Sequence, residues 1–334
     1  MLELNVLYQT DNNYAPQTGV SITSLFQNNK DIEKLNVYVL DNGISEENIK
    51  RFETLGDLYH RNIHFLDASD IVAKLKELGV VPYKGSYTTY CKLFTIGNIE
   101  TSNNRILQID GDTIINSSLA DLENIELEDY VCAATYDCVQ NKYKSLIGIE
   151  ETDPYFNCGV LYINQVNWRS LKCYDRIVDH LTNIRAKYLI VDQDIINILF
   201  RHKIAYLDIK YNLNSGFYLY GINESFFIYD LQQEVFAPKE AIRAAMMSPV
   251  INHCMGPMTG RPWEKGNSHP QGKLYDRYLN ISPWSDVDKV ADRRSTVDKI
   301  QFLLYRILPG CLYARIHKSV LKRTLKKLNA DLLN

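Results

Sequence analysis

The chain has few cysteines and no pattern among them: Cys91, Cys132, Cys138, Cys158, Cys173, Cys254 and Cys311 form an odd set without a CxxC pair. That argues against a disulfide framework, and reduced thiols in a cytosolic setting are expected. No apolar run is long enough to suggest a membrane span. A basic stretch leading into an apolar h-region is missing as well, because Leu4–Tyr8 already reads as a buried strand and Asp11, Asn12 and Asn13 follow it. No signal peptide is expected on that ground. Internal repeats and low-complexity tracts are absent too, which leaves a globular domain of 334 residues able to bury a large core. Trp (3) and Phe (11) are scarce beside 23 Tyr, a balance that suits polyhydroxylated ligands because each tyrosine offers both a ring and a hydroxyl.

The near-neutral charge of −3 conceals an asymmetry. Residues 293–334 hold ten Lys+Arg and two acids, a net of +8, which leaves −11 for residues 1–292. An acidic body with a basic tail follows, and nucleic acid is a poor partner for such a body.

Short apolar runs alternate with amphipathic stretches through Leu4–Tyr8, Val20–Phe26, Val37–Leu40, Glu46–Leu58 and Ile63–Leu66. This β-α-β-α-β rhythm predicts an α/β fold with a mostly parallel sheet. Ser45 before Glu46 and Glu47 marks a helix start. Further strands are expected at Ile106–Ile109, Val131–Ala134, Val160–Ile163 and Ile204–Leu207, with helices from about Trp168 to Arg185 and over Asp192–Phe200. From Asn212 to Trp263 the richness in Tyr, Asn, Gly and Pro predicts long surface loops. Pro283 and the change of charge sign place a division near 281–290, giving a body over 1–281 and a helical appendage over 282–334. In that tail, apolar and basic residues interleave from Asp298 to Leu328, predicting two amphipathic helices split at Pro309-Gly310. Such helices fit the surface of an anionic membrane, or the acidic body itself, or another chain.

Parallel α/β sheets bind ligands beyond the carboxyl ends of their strands. The run Ile106–Ile109 ends there in Asp110-Gly111-Asp112, two carboxylates on a turn that can face one cation. Two more D-x-D triplets, at 192/194 and 286/288, show that the spacing alone is weak: the former opens a helix and the latter follows no strand. His253, after strand-like Val250–Ile251, would add an imidazole and favour Mn²⁺ over Mg²⁺. Read singly, His253, Tyr14, Asn157 and Gln193 are each better explained by packing or turn formation than by function.

In order along the chain, five blocks (Tyr8–Tyr14, Thr88–Leu93, Asp110–Asp112, Tyr155–Leu161 with Ile163-Asn164, and Asp192–Asn197) and a looser sixth, His253–Trp263, resemble glycosyltransferase family 8 over residues 3–280. The similarity is to the bacterial lipopolysaccharide galactosyl- and glucosyltransferases in particular. It implies a GT-A fold, a Rossmann-like domain that takes a UDP-sugar and transfers the hexose, galactose before glucose, with retention at the anomeric carbon. By the same resemblance Gln9, Thr10, Asp11, Asn13 and Tyr14 would meet the nucleoside, and Asp110, Asp112 and His253 would hold Mn²⁺, with Mg²⁺ as second choice. Gly111, Gly256 and Arg261 would lie along the diphosphate, and Lys92, Asn157, Asp192 and Gln193 at the sugar. Lys92 stands where many relatives carry Arg, and the loop from His253 to Arg261 is two residues longer than in bacterial relatives.

An amide is a poor nucleophile, so Gln193 beside the anomeric carbon implies front-face attack by the acceptor, with Asp192 or Asp194 as a covalent nucleophile in the alternative. The acceptor would be a glycan, glycolipid or glycoprotein, met in the cytoplasm or at the inner membrane face. Two readings of other classes compete: a catalytically inactive nucleotide-sugar-binding module, and an assembly partner working through the tail.

Overall fold

The computed structural model describes residues 2–183, 188–256 and 258–332, with side chains up to 325 in the last helix. Ten strands are found among the described residues: β1 (Glu3–Thr10), β2 (Lys34–Asp41), β3 (Asn62–Asp67), β4 (Arg105–Ile109), β5 (Thr113–Ile115), β6 (Cys132–Ala134), β7 (Val160–Asn164), β8 (Ile204–Tyr206), β9 (Leu213–Asn214) and β10 (Ile251–His253). Seven form the main sheet in the order β3-β2-β1-β4-β7-β6-β8, and β7 alone runs against its neighbours. A smaller sheet, β5-β10-β9, stands beyond the carboxyl end of β4. The expected α/β architecture is thus present.

Seven of the eight residues of β1 are buried because helices cover both faces of the sheet, which explains why its sequence is apolar without alternation. The helix Ala15–Asn28 lies against it and is itself buried over Thr18–Phe26. At Gly19 the indole of Trp284 comes so close that an added Cβ would sit 2.1 Å from the ring. Trp284 lies on the tail side of the expected division at 281/282, yet it is fully buried in the main core against Phe52. The body's packing therefore continues past that point, and a bridge between Glu264 and Val290 extends it further.

Ser45 caps its helix as the sequence suggests, accepting from the Asn48 amide at 3.3 Å. Two expectations need correction. The helix drawn from Trp168 to Arg185 is two, Gln165–Ser170 and Cys173–Asn183, broken where Lys172 takes φ 51°; Arg185 lies outside the described residues. The stretch from Asn212 to Trp263 is not mainly loop. It carries helices Gly216–Tyr220, Ile222–Tyr229 and Lys239–Met247 together with β9 and β10. Phe217, Phe226 and Phe236 pack there around Ile242 and Leu213 into a satellite core, so aromatic residues read as loop cover are interior.

The tail forms helices Thr296–Ile307 and Gly310–Leu332, separated at Leu308-Pro309. The first buries no residue, whereas the second packs on helix Ile222–Tyr229 and buries Tyr313, Ala314 and His317. The side chains of Lys326, Lys327 and Leu328 lie outside the described set. No helix among the described residues is long and apolar enough to cross a membrane, and all seven cysteines are free.

Candidate active site

The chain leaves the main sheet at Ile109, turns through Asp110-Gly111-Asp112 and enters the small sheet as β5. Strand β10 pairs with β5 antiparallel, setting His253 opposite Thr113. The Cys254 amide then donates to the Asp112 carbonyl at 2.8 Å. Residues more than 140 apart in sequence are thereby fixed side by side through backbone pairing. One ligand atom from each of Asp110, Asp112 and His253 lies within 4.8 Å of the others. Gly111 is required in this turn, since a Cβ there would meet Thr18 Oγ1 at 2.3 Å.

The protonation pattern of His253 follows from a chain that begins on the backbone. The Gly159 amide donates to Asn157 Oδ1 (2.8 Å), which fixes that atom as an acceptor. Asn212 Nδ2 donates to the same oxygen (2.7 Å), so its Oδ1 faces His253 Nδ1 at 3.0 Å and can only accept. Nδ1 must carry the proton. Nε2 then turns its lone pair toward Asp112 Oδ1, 3.1 Å away. Two acceptors face one another there, and the contact is favourable only with a second proton or a cation between them. Burial depresses the imidazole, but Asp112 outweighs it and holds the His253 pKa above its ordinary value. Burial raises Asp112 in turn, and His253 with Arg261 overcomes this, keeping the carboxyl below the usual range. Arg261 donates to Asp112 Oδ2 at 3.0 Å and to the Cys254 carbonyl. A divalent cation fits this donor set of two carboxylates and a neutral Nε2 whose tautomer Asn212 fixes from the other side of the ring.

Behind the turn, Lys92 is buried and spends its three N–H bonds on Asp110 Oδ1 (3.1 Å), Asp192 Oδ2 (2.9 Å) and the Cys158 carbonyl (2.8 Å). Burial opposes its charge, yet the two carboxylates hold the ammonium above its ordinary pKa. Burial also pushes Asp192 up to about 6, against the pull of Lys92. Gln193 is held at both ends: Oε1 accepts from the Cys158 amide (3.0 Å) and Nε2 donates to Asp137 (2.9 Å). Asp194 points away into the protein, where the hydroxyls of Tyr143 and Tyr155 and the Ile190 amide bind it.

A cleft of about 490 Å³ opens over these groups. Its wall includes Gln9, Thr10, Asp11, Tyr14, Asp110, Gly111, Asp112, Asn157, Asp192, Gln193, His253 and Arg261. Tyr14 is braced edge-on by Trp263, centroids 5.6 Å apart. Three expected residues stand off the wall. Asn13 is exposed on the turn before helix Ala15–Asn28, Gly256 lies in the loop after β10 with φ +108°, and Lys92 lies behind the wall, reaching the cleft only through the carboxylates it pairs.

Residues the sequence reading passed over also face the cleft: Tyr83, Lys84, Ser86, Asp137 and Met255. Tyr83 and Ser86 bridge a tight turn in which Lys84 and Gly85 both have positive φ, raising a lip beside the cleft. The Lys84-Gly85 pair after Pro82 was the available signal, a turn next to the Thr88–Leu93 block. Asp137 carried none.

Comparison with known proteins agrees with this geometry. A Haemophilus influenzae protein named simply as a glycosyltransferase is 29% identical over 314 residues, 90% of this chain and 85% of that one. Lipopolysaccharide 1,2-glucosyltransferase of Escherichia coli is 26% identical over 328 residues, covering 95% and 91%. The solved structure of galactosyltransferase LgtC, with donor and acceptor sugar analogues, superposes with a TM-score of 0.65 at 24% identity, over 84% of this chain and 96% of that one. The fold is therefore GT-A. With the glycosyl transferase family 8 model matching residues 5–266, this chain belongs to that family and is a glycosyltransferase acting on carbohydrates.

Proposed function

We propose that the protein is a retaining hexosyltransferase that uses a UDP-sugar, galactose before glucose, with Mn²⁺ preferred to Mg²⁺. The observation that carries this is the convergence of Asp110, Asp112 and His253 at the wall of the cleft. A divalent ion held there would neutralise the diphosphate as it leaves. Tyr14, with Thr10 and Asp11 beside it, offers a ring and acceptors to a base and ribose. Arg261 exchanges Asp112 for phosphate oxygens, since a guanidinium pairs with either. Galactose and glucose are favoured because LgtC and the Escherichia coli relative are named for those transfers.

Attack from the leaving-group face is supported by the state of each candidate nucleophile. Gln193 is an amide held at both ends, Asp194 is sealed by two tyrosines, and Asp192 is neutralised by Lys92. The acceptor is a glycan, glycolipid or glycoprotein, and Asp137 and the Tyr83–Ser86 lip are the groups placed to meet it. A donor-hydrolysis screen of UDP-Gal and UDP-Glc against UDP-GlcNAc and GDP-Man, with and without Mn²⁺, tests the reading. Turnover of neither UDP-hexose, or equal turnover in EDTA, would remove it.

The tail adds a location. Val297, Ile300, Leu303 and Ile307 form one exposed apolar face on helix Thr296–Ile307, flanked by Arg293 and Arg306. This pattern suits the inner face of an anionic membrane, the body remaining on the cytoplasmic side. Flotation of the full chain with phosphatidylglycerol vesicles but not phosphatidylcholine vesicles is the expected result. Equal recovery with both would leave the second reading, a tail that only docks on the body.

A further inference from the structure

Between residues 293 and 325 the tail buries four side chains, Tyr313, Ala314, His317 and Leu325. The first of these reaches the loop that follows β10. Tyr313 donates its hydroxyl to Met258 Sδ at 3.0 Å, and both residues are almost wholly buried, at 3% and 2% exposure. The ring of Tyr313 belongs to a cluster with Tyr220 (centroids 6.1 Å, 18° between planes) and His317 (5.6 Å, 16°), which also touch each other at 5.4 Å, and Tyr305 meets it edge-on at 5.4 Å, so moving it from Met258 disturbs several ring contacts. Helix Gly310–Leu332 is itself held to the body by Lys318, which donates to the Phe227 carbonyl and pairs with Asp230.

Met258 sits midway along the segment whose ends serve the cleft. On one side are Met255, which lines the cleft, and Gly256; on the other is Arg261, bound to Asp112. Other holds on this segment end on its backbone: the His269 imidazole Nε2 at the Met255 carbonyl (2.9 Å), the Ser268 amide at the Thr259 carbonyl (2.8 Å) and the Arg261 amide at Glu264 Oε2 (3.2 Å). Met258 adds a buried side-chain anchor of its own, a thioether held against an aromatic cluster.

We infer that Tyr313 is a positioning residue for the donor: through Met258, the C-terminal helix seats the loop that presents Arg261 to the diphosphate. Placing Arg261 at the diphosphate rests on the reading above, but the mechanical linkage from tail to loop does not. The tail thereby has a role inside the transferase cycle in addition to any surface it binds. Whatever displaces helix Gly310–Leu332 loosens the donor loop.

The test uses the full-length chain. Tyr313→Ala is expected to raise donor KM and the Kd for UDP with Mn²⁺ by about five-fold or more, while kcat changes by less than about two-fold. Amide hydrogen exchange should quicken over residues 254–268. Met258→Ala should behave alike, and the double variant should be no worse than either single one, because all three cut the same link. Tyr313→Phe keeps the ring stack and removes the O–H donor, so it gives a smaller loss and serves where the alanine variant fails to fold. Unchanged exchange over 254–268 in both Tyr313 variants, or losses that add in the double variant, would overturn the inference. A wild-type chain that takes up no UDP would instead sink the donor assignment, and the exchange measurement would still decide the linkage.

Discussion

Asp110-Gly111-Asp112 and Asp192-Gln193-Asp194 are the same pattern of letters and opposite pieces of chemistry. On the turn after β4 the two carboxylates converge, because Gly111 lets the chain press against Thr18 and β10 brings His253 to the same side. At 192/194 the residues open the helix Val191–Phe200, where a two-residue step rotates side chains by roughly 200°. Asp192 consequently faces the cleft and Lys92, whereas Asp194 faces inward to two tyrosines. A third triplet, Asp286-Val287-Asp288, splits between surface partners Arg51 and Lys265. Backbone geometry, and not the spacing of acids, decides which triplet can hold a cation.

The widest separation between these triplets should appear in activity. Asp112→Asn removes one ligand and the acceptor facing His253, and transfer should fall about 10³-fold or more, with Mn²⁺ uptake lost in calorimetry. Comparable Mn²⁺ affinity in that variant would erase the distinction drawn above. For Asp194→Ala the expected damage is to folding: two buried hydroxyls and an amide lose their acceptor, costing about 3 kcal/mol in urea denaturation. Activity per folded molecule should survive far better than in Asp112→Asn.

pH sharpens the contrast through opposite signs. Asp192 titrates near 6 in the folded chain and near its ordinary 3.8 unfolded, so between these values the folded state binds the extra proton. Its contribution therefore declines as pH rises through that window, by about 3 kcal/mol. Asp112, held low, acts the other way, its contribution being present above 3.8 and lost as pH falls below. Metal-free stability curves of Asp192→Asn and Asp112→Asn should lose opposite slopes; matching changes would contradict the assignments. The smallest effect belongs to the third triplet. Asp286 is largely exposed, so Asp286→Ala should leave the urea midpoint almost unchanged despite its contact with Arg51.

Much of this was readable from local sequence. Apolar runs without alternation marked the buried strands, Ser45 with two acids marked a helix start, and Pro309-Gly310 marked the break in the tail. What could not be read depended on distant partners. Lys92 was expected at the sugar and instead lies behind the wall between Asp110 and Asp192, a position set by three elements meeting. Phe217 and Phe226 sit in short helices among Asn and Gly, and Phe236 lies on the connection between two helices, so no clear period marks them and only mutual packing makes them a core. Lys172 breaks a helix without glycine or proline to announce it. Asp137 sits alone after β6, and only the fold brings it to the cleft wall and to Gln193.

The imidazole's tautomer is dictated by a peptide group at the head of β7, through two asparagine amides that never touch the ion site. The arrangement of Asp110, Asp112 and His253 is thus inherited from the main sheet and is complete before any ligand enters the cleft. Room is equally strict, since a methyl group at Gly159 would come within 2.3 Å of the His253 ring. Gly111 and Gly159 thus leave the Asp110, Asp112 and His253 end of the cleft no room for another side-chain atom.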